Sequence, residues 1–343
     1  MINMKLKTTE EVRNMLQMYV VSTALSTALE LGLFWELERK TLGVKEIAQK
    51  FQIPVDRCHA WLNLLVGLGL LEEKNRVFIL TPVAQETILE TYSPESWAYI
   101  AQAAQDHYRA GVNLTKHINH PKSVWEAQGI QEPDWFDQLA NDNLYADQFT
   151  RTLYDVHFPF AEKLAQRLDM TNVEQLIDLG GGSGVVSLAL LKRYSNLRAI
   201  VIDLENVCEI GRKIADTTPV RDRITYFPAD FEKDSLPSGF DMVILCDAGE
   251  LSEELYQKCR ILLNENGRFV IITNIDEQSS WLKYEDQVVP FPRLVVNFLS
   301  SIETSKMHIF SVKEVTTGLM KAGFQNASYE IWKEGPVIIQ GFK

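Results

Sequence analysis

Four of the five residues from Gly180 to Gly184 are glycine, and this run follows the apolar segment Gln175–Leu179 and precedes the apolar, helix-forming segment Val185–Tyr194. Strand, glycine-rich turn, helix is the arrangement in which backbone N–H groups at a helix start face a ligand, with glycine allowing the chain to turn tightly and approach it closely. The pattern then alternates. Arg198–Asp203 predicts a strand, Val207–Ala215 a helix, and Ile224–Phe227 and Asp241–Leu245 strands. Ser252–Leu263 predicts a helix and Arg268–Ile275 a strand. Such alternation implies a mostly parallel sheet with helices on both faces, whose ligands bind at the carboxyl ends of the strands. Near the end, Ser311-Val312-Lys313-Glu314 has the pattern of a capping box opening a helix. The last two strands, Ser328–Trp332 and Val337–Phe342, are joined so closely through Gly335-Pro336 that they must pair antiparallel.

The glycines exclude two common ligands. A phosphate-binding Walker loop needs a lysine after its glycines, and none follows. A dinucleotide fingerprint ends in Gly or Ala, but the matching position is Val185 or Ser187, depending on the starting glycine. About 20 residues on, Asp203 ends the next strand at the distance where an acid receives ribose hydroxyls.

The front half is different. With 343 residues the chain exceeds one small domain. Apolar residues at three- and four-residue spacing predict a helix over 10–40, apolar on more than one face around Ala24–Phe34, as in a buried or partner-facing helix. Over 43–82 the order is helix, turn at Phe51–Pro54, second helix, and hairpin, ending at Thr81-Pro82: a winged-helix order. It suits a DNA reader or a structural, dimerising module. The net charge of −12 and the few base-reading groups on the second helix (Arg57, His59 and Asn63) favour the module and disfavour nucleic acid. Residues 92–165 predict helices rich in aromatics, part of which could line a pocket for a flat molecule. The expected division is 1–91, 92–165 and 166–343. No run of about 18 apolar residues predicts a membrane span. The N-terminus lacks the apolar core of a secretory signal, so a cytoplasmic protein is expected. Cys58, Cys208, Cys246 and Cys259 form no C-x-x-C pair, and neither a disulfide framework nor a metal site is expected.

Asp178, Gly180, Gly182 and Gly184 form a D-x-G-x-G-x-G run that resembles the first motif of the class I S-adenosylmethionine-dependent methyltransferases. Pro228-Ala229-Asp230-Phe231 resembles that family's adenine-contacting segment. With the winged-helix-like front, the Leu80–Pro82 turn and the Phe310–Phe324 tail, nearly the whole chain is similar to the small-molecule O-methyltransferases that carry an N-terminal dimerisation domain. The resemblance implies a Rossmann-like, doubly wound α/β sheet of seven strands in the order 3-2-1-4-5-7-6, behind a mainly helical winged-helix-like domain. It implies a homodimer and S-adenosylmethionine held by Asp178, Gly180, Gly182, Gly184, Asp203, Leu204, Asp230, Phe231 and Cys246. In this reading Asp230 meets the adenine amino group and Phe231 packs on its ring. The acceptor is a small, aromatic or polyketide-like molecule.

One departure is chemical. The family's O-methylating members carry a histidine base in a His-Asp-Trp stretch, where this chain has Cys246-Asp247-Ala248-Gly249-Glu250-Leu251-Ser252. Counting from Asp241 puts Glu250 at the base position. The base's two acidic partners fall near Thr273 and His308. Three readings remain: Glu250, with His308, is the base; the acceptor is a carbon or nitrogen nucleophile served by orientation alone; or the cofactor is bound without methyl transfer. A ligand-responsive winged-helix regulator is the alternative from another class. His107 and His157 are the further histidines with a place near such a pocket.

Overall fold

In the computed structural model the described residues are 5–273, 283–284, 287–288, 291–304, 310–332 and 336–343. They form two compact units, Met1–Ile130 and Gln131–Lys343. The segment 92–165 is shared between these units: the helix Pro94–Gly111 belongs to the first and Asn143–Arg167 to the second.

In the first unit the stretch expected as one helix is three, Thr9–Met15, Met18–Glu30 and Leu33–Arg39. Gly32, at φ 71°, ends the second, because the left-handed conformation cannot continue a right-handed helix. The winged-helix order is present. Helices Val44–Lys50 and Val55–Gly67 precede a hairpin of Leu71–Lys74 and Val77–Leu80, and Leu42–Gly43 adds a third strand beside Phe78 and Val77. Asn75 and Arg76 both have positive φ, the backbone of a two-residue hairpin turn. Leu33, Phe34, Ile47, Leu62, Leu65 and Phe78 fill the core of this unit. On the N-terminal helices Leu16 (74% exposed), Tyr19 and Val20 are left uncovered within the chain.

The second unit holds the sheet: β1 (Gln175–Leu179), β2 (Arg198–Asp203), β3 (Ile224–Pro228), β4 (Phe240–Cys246), β5 (Leu263–Thr273), β6 (Asn326–Ile331) and β7 (Val337–Phe342). Their spatial order is 3-2-1-4-5-7-6, as the resemblance implies. β1 to β5 pair parallel, and β7 runs antiparallel to both β5 and β6. The helices are α1 (Trp135–Asn141), α2 (Asn143–Arg167), α3 (Val185–Arg193), α4 (Glu205–Ala215), α5 (Glu253–Leu262), α6 (Phe291–Glu303) and α7 (Val312–Lys321). The central strands are apolar along their length because both faces are covered. Leu176, Val201 and Ile244 face a core with α2, α3 and α4, whereas Ile177, Ile202 and Leu245 face one with α5 and α7. By the same alternation Asp178 and Asp203 lie on the face of Leu176 and Val201, beside α3 and α4. α7 opens with the expected capping box: Ser311 Oγ accepts from the Glu314 N–H at 3.2 Å, and Glu314 accepts from the Ser311 N–H at 2.7 Å. Among the described residues no single helix is long and apolar enough to cross a membrane.

α7 packs closely on α5. A methyl group at Gly318 would stand 2.5 Å from the Tyr256 ring, itself buried against Phe269. Alanine gains about 1 kcal/mol of helix propensity over glycine, but overpacking a filled core costs about 1–3 kcal/mol. The clash wins, and Gly318→Ala is expected to lower the melting temperature measured by circular dichroism.

Candidate active site

The carboxyl ends of β1 and β4 adjoin where the strand order reverses, and a cavity of about 650 Å³ opens there. The glycine loop forms its floor. Gly180, Gly182 and Gly184 all have positive φ. Two of them are also bound by space. A Cβ at Gly180 would meet the Ala248 Cβ at 2.5 Å, and one at Gly184 would meet the Tyr226 hydroxyl at 2.5 Å. A Cβ at Gly182 would meet nothing within 4 Å, because its face is turned to the cavity.

A buried carboxylate and a half-buried one define the corner. Asp203 Oδ2 accepts from the Gly182 N–H and Oδ1 from the Leu204 N–H, each at 2.8 Å. Each oxygen keeps a second lone pair for a further donor. Burial raises the Asp203 carboxyl to about 6, against these two hydrogen bonds. Asp178 is 1% exposed; its Oδ2 accepts from Ser187 Oγ at 2.7 Å. Its Oδ1 is buried with no partner, in a residue that lines the cavity. Burial raises Asp178 to about 7, with the Ser187 hydroxyl opposing and the Asp203 charge adding to the rise. An orphaned buried carboxylate oxygen fits a cationic or N–H-bearing ligand group.

Tyr226, from β3, is a site residue that sequence reasoning missed. Its hydroxyl donates to the Ser183 carbonyl at 2.7 Å, and its ring fills the space left by Gly184 and Gly211. It props the loop from behind. An alternating strand position held by tyrosine carries no sequence signal of that role.

Of the expected cofactor set, Asp178, Gly180, Gly182, Asp203, Leu204, Asp230, Phe231 and Cys246 all line the cavity. Gly184 does not. It sits at the start of α3 against Tyr226, serving the turn instead of the wall. Phe231 is buried, its ring edge near Gly180 and Gly249. Asp230 is paired with Lys233 at 2.7 Å, which holds its carboxyl below the usual range. Burial pushes the Cys246 thiol far above its ordinary value, so the thiol is neutral. Glu250 lines the cavity with its side chain exposed, and its N–H donates to Glu232 at 3.2 Å. Thr273 ends β5 outside the cavity wall, and His308 lies outside the described residues. His107 belongs to the first unit, and His157 lines the cavity from α2.

Much of the rest of the wall is apolar and aromatic, with Trp135, Phe136, Leu139, Phe149 and Phe160 from α1 and α2. Asn206 ties α1 to the start of α4 by donating to the Leu139 and Ala140 carbonyls at 3.1 and 2.9 Å. Six carboxylates line the cavity (Asp178, Asp203, Asp230, Glu232, Asp247 and Glu250), and no Lys or Arg does so among the described residues. The site therefore favours cations over anions.

Residues 112–307 match the family model of the O-methyltransferase domain, and residues 14–89 match that of the O-methyltransferase dimerisation domain. The second match covers the winged-helix segment, which favours the module over the DNA reader. The chain is similar to 3-hydroxy-5-methyl-1-naphthoate 3-O-methyltransferase of Streptomyces sahachiroi, 26% identical over 64% of this chain. The match spans 63% of that relative, less than two thirds of its length. It is also similar to the N,N-dimethyltransferase OxyT of Streptomyces rimosus, 27% identical over 66% of this chain and 67% of the relative. Among solved structures, PigF with SAH shares the fold, with a TM-score of 0.81 and 20% identity, covering 98% of this chain and 100% of that one.

The raised carboxyls have a consequence for stability. An acid whose folded pKa lies above its unfolded value stabilises the fold fully only below the unfolded value, and that contribution is lost as pH rises through the folded one. For Asp178 the window runs from about 4 to about 7. Relative to the wild type, Asp178→Asn is expected to gain melting temperature as pH is raised from 5 to 7.5 without ligand. Parallel melting curves would contradict the raised carboxyl.

Proposed function

The chain belongs to the O-methyltransferase family, and on that premise we propose that it transfers a methyl group from S-adenosylmethionine to a small, flat acceptor. The observation that carries this is the corner built by Asp178, Gly182 and Asp203. The free lone pairs of Asp203 suit two adjacent ribose hydroxyls. The orphaned Asp178 Oδ1 suits the ammonium of the methionine part, whose charge would return that carboxyl to its ionised form. Gly182, turned bare to the cavity, lets the ligand lie on the loop backbone. Asp230 and Phe231 belong on the adenine side, and Asp230 must then share its carboxylate with Lys233. Leu204 and Cys246 complete the cofactor wall.

When bound, the cofactor supplies a methyl group made electrophilic by a positively charged sulfonium. The chain's own contribution is to hold it and the acceptor in line, and to exclude water with the aromatic wall. Six carboxylates around the cavity suit a cationic cofactor and a neutral or cationic acceptor. A hydroxyl acceptor is favoured by the family and by the naphthoate-methylating relative. An amine acceptor is the second reading, supported by the same charge pattern and by the dimethyltransferase relative. Methylation at carbon, and cofactor binding without transfer, follow with less support. Residues 14–89 form the dimerisation domain, and a homodimer through the uncovered Leu16, Tyr19 and Val20 fits the apolar surface there. A cytoplasmic setting belongs to this reading, with Cys58, Cys208, Cys246 and Cys259 all free thiols.

Two measurements test this. Isothermal titration with S-adenosylhomocysteine is expected to give a micromolar Kd for the wild type. Asp203→Ala should weaken it by about 10- to 100-fold, the worth of hydrogen bonds to a charged group; no binding to the wild type removes the reading. Sedimentation equilibrium is expected to give twice the chain mass, falling toward one chain in Leu16→Asp.

A further inference from the structure

The loop Cys246–Ser252 holds no histidine, so a proton leaving a hydroxyl acceptor has to be received from another part of the wall. α2 turns one face to the cavity. Phe149, Thr150, Leu153, His157 and Phe160 follow one another at helical spacing and all line it. Thr150 is 2% exposed, and its hydroxyl has no hydrogen-bond partner. A buried hydroxyl without a partner, in a residue that lines a cavity, is a polar group the fold leaves unmet. Two turns along the same face stands His157.

Asp247 lines the same cavity from the loop after β4, and its charge acts on His157. Its backbone is in the left-handed region at φ 46°, where non-glycine residues carry strain. Its N–H donates to the Ile272 carbonyl of β5 at 2.9 Å, which holds the turn in place. The Leu153 backbone, one helical turn back, also acts on the ring. In the neutral ring one nitrogen carries the proton and the other is an acceptor.

We propose that His157 is the catalytic base toward the acceptor hydroxyl and that Asp247 is its positioning partner. This rests on the methyltransferase reading above. The acceptor O–H bond breaks and its proton passes to the free ring nitrogen of His157. The oxygen's electron pair forms the new bond to the methyl carbon, and the carbon–sulfur bond breaks with its pair remaining on sulfur. A neutral thioether, a methyl ether and a histidinium result, so charge is conserved.

The surroundings suit this chemistry. His157 is exposed to solvent on one side, and partial desolvation by the wall holds it below the ordinary imidazole range, opposed by the Asp247 charge and the Leu153 backbone, so the ring is neutral and able to accept at neutral pH. The titratable groups sharing the cavity are Cys246, Asp247 and Glu250 on the same loop, Asp178 and Asp203 at the strand ends, and Asp230 and Glu232 after β3. An acceptor oxyanion among these carboxylates is repelled, and protonated His157 would add a cation beside it to that of the sulfonium.

4-Nitrophenol is a flat phenol whose ionisation is read by absorbance. The experiment titrates it from pH 5 to 8.5 on the full chain saturated with S-adenosylhomocysteine, in the wild type, His157→Gln, Asp247→Asn and Glu250→Gln. Bound probe is expected to ionise at lower pH in the wild type than in His157→Gln, by at least about half a pH unit. Asp247→Asn is expected to lose part of that shift, and to lower the His157 midpoint followed by NMR of 15N-histidine protein. Ionisation that is equal in the wild type and His157→Gln, or a shift lost in Glu250→Gln alone, overturns the assignment. Calorimetry separates the two readings: a wild type that does not bind S-adenosylhomocysteine fails the methyltransferase reading itself, whereas intact binding with an unmoved probe fails only the base.

Discussion

The desolvation of two aspartates at adjacent strand ends is the constraint on which the site depends. Asp178 and Asp203 lie on one face of the sheet, and both are raised by burial, to about 7 and about 6. Burying a carboxylate is costly unless it is hydrogen-bonded or paired. Asp203 is compensated by two backbone N–H groups, and that contact dictates the path of the glycine loop. Asp178 is compensated only on one oxygen. The ligand-free protein therefore keeps an unmet electrostatic demand at the place where a cation would answer it. Local destabilisation of this kind is characteristic of sites whose groups are arranged for a ligand before they are arranged for the fold.

The loop would not hold that geometry alone. Three left-handed glycines are flexible in an unfolded chain, and ordering them is entropically expensive. Tyr226 offsets this from behind, with its ring against Gly184 and Gly211 and its hydroxyl on Ser183. The front of the loop meets Phe231 and Ala248. The loop is thus clamped between β3 and the segment after β4, leaving Gly182 as its open position.

This division explains what could be read in advance. The alternation of strands and helices, the capping box at Ser311 and the ligand corner at Asp178 and Asp203 follow from local patterns: apolar strands, a helix-start signature, and an acid at a set distance from glycines; the strand order follows from the family resemblance. Tyr226, Thr150 and the Asp247 turn were not legible, because each acts through a partner distant in sequence. Tyr226 reaches Ser183 across 43 residues. The N-terminal helices were legible as apolar, but not as broken at Gly32, since helical periodicity persists on both sides of the break.

The altered loop after β4 links these observations. Where the resembling enzymes carry a histidine base, this chain has an acidic segment with two left-handed residues, Asp247 and Gly249. Gly249 faces the Phe231 ring, where a side chain would stand 2.8 Å away, so the turn is constrained by the cavity wall. A solvated carboxylate is in general a weak base toward a phenol, because its conjugate acid is too strong to hold a phenolic proton. Such a carboxylate is well suited to orient a neutral imidazole and to stabilise it once charged. A histidine from α2 and an aspartate from the loop after β4, lining one cavity, provide the pair of groups that acid–base chemistry at neutral pH requires.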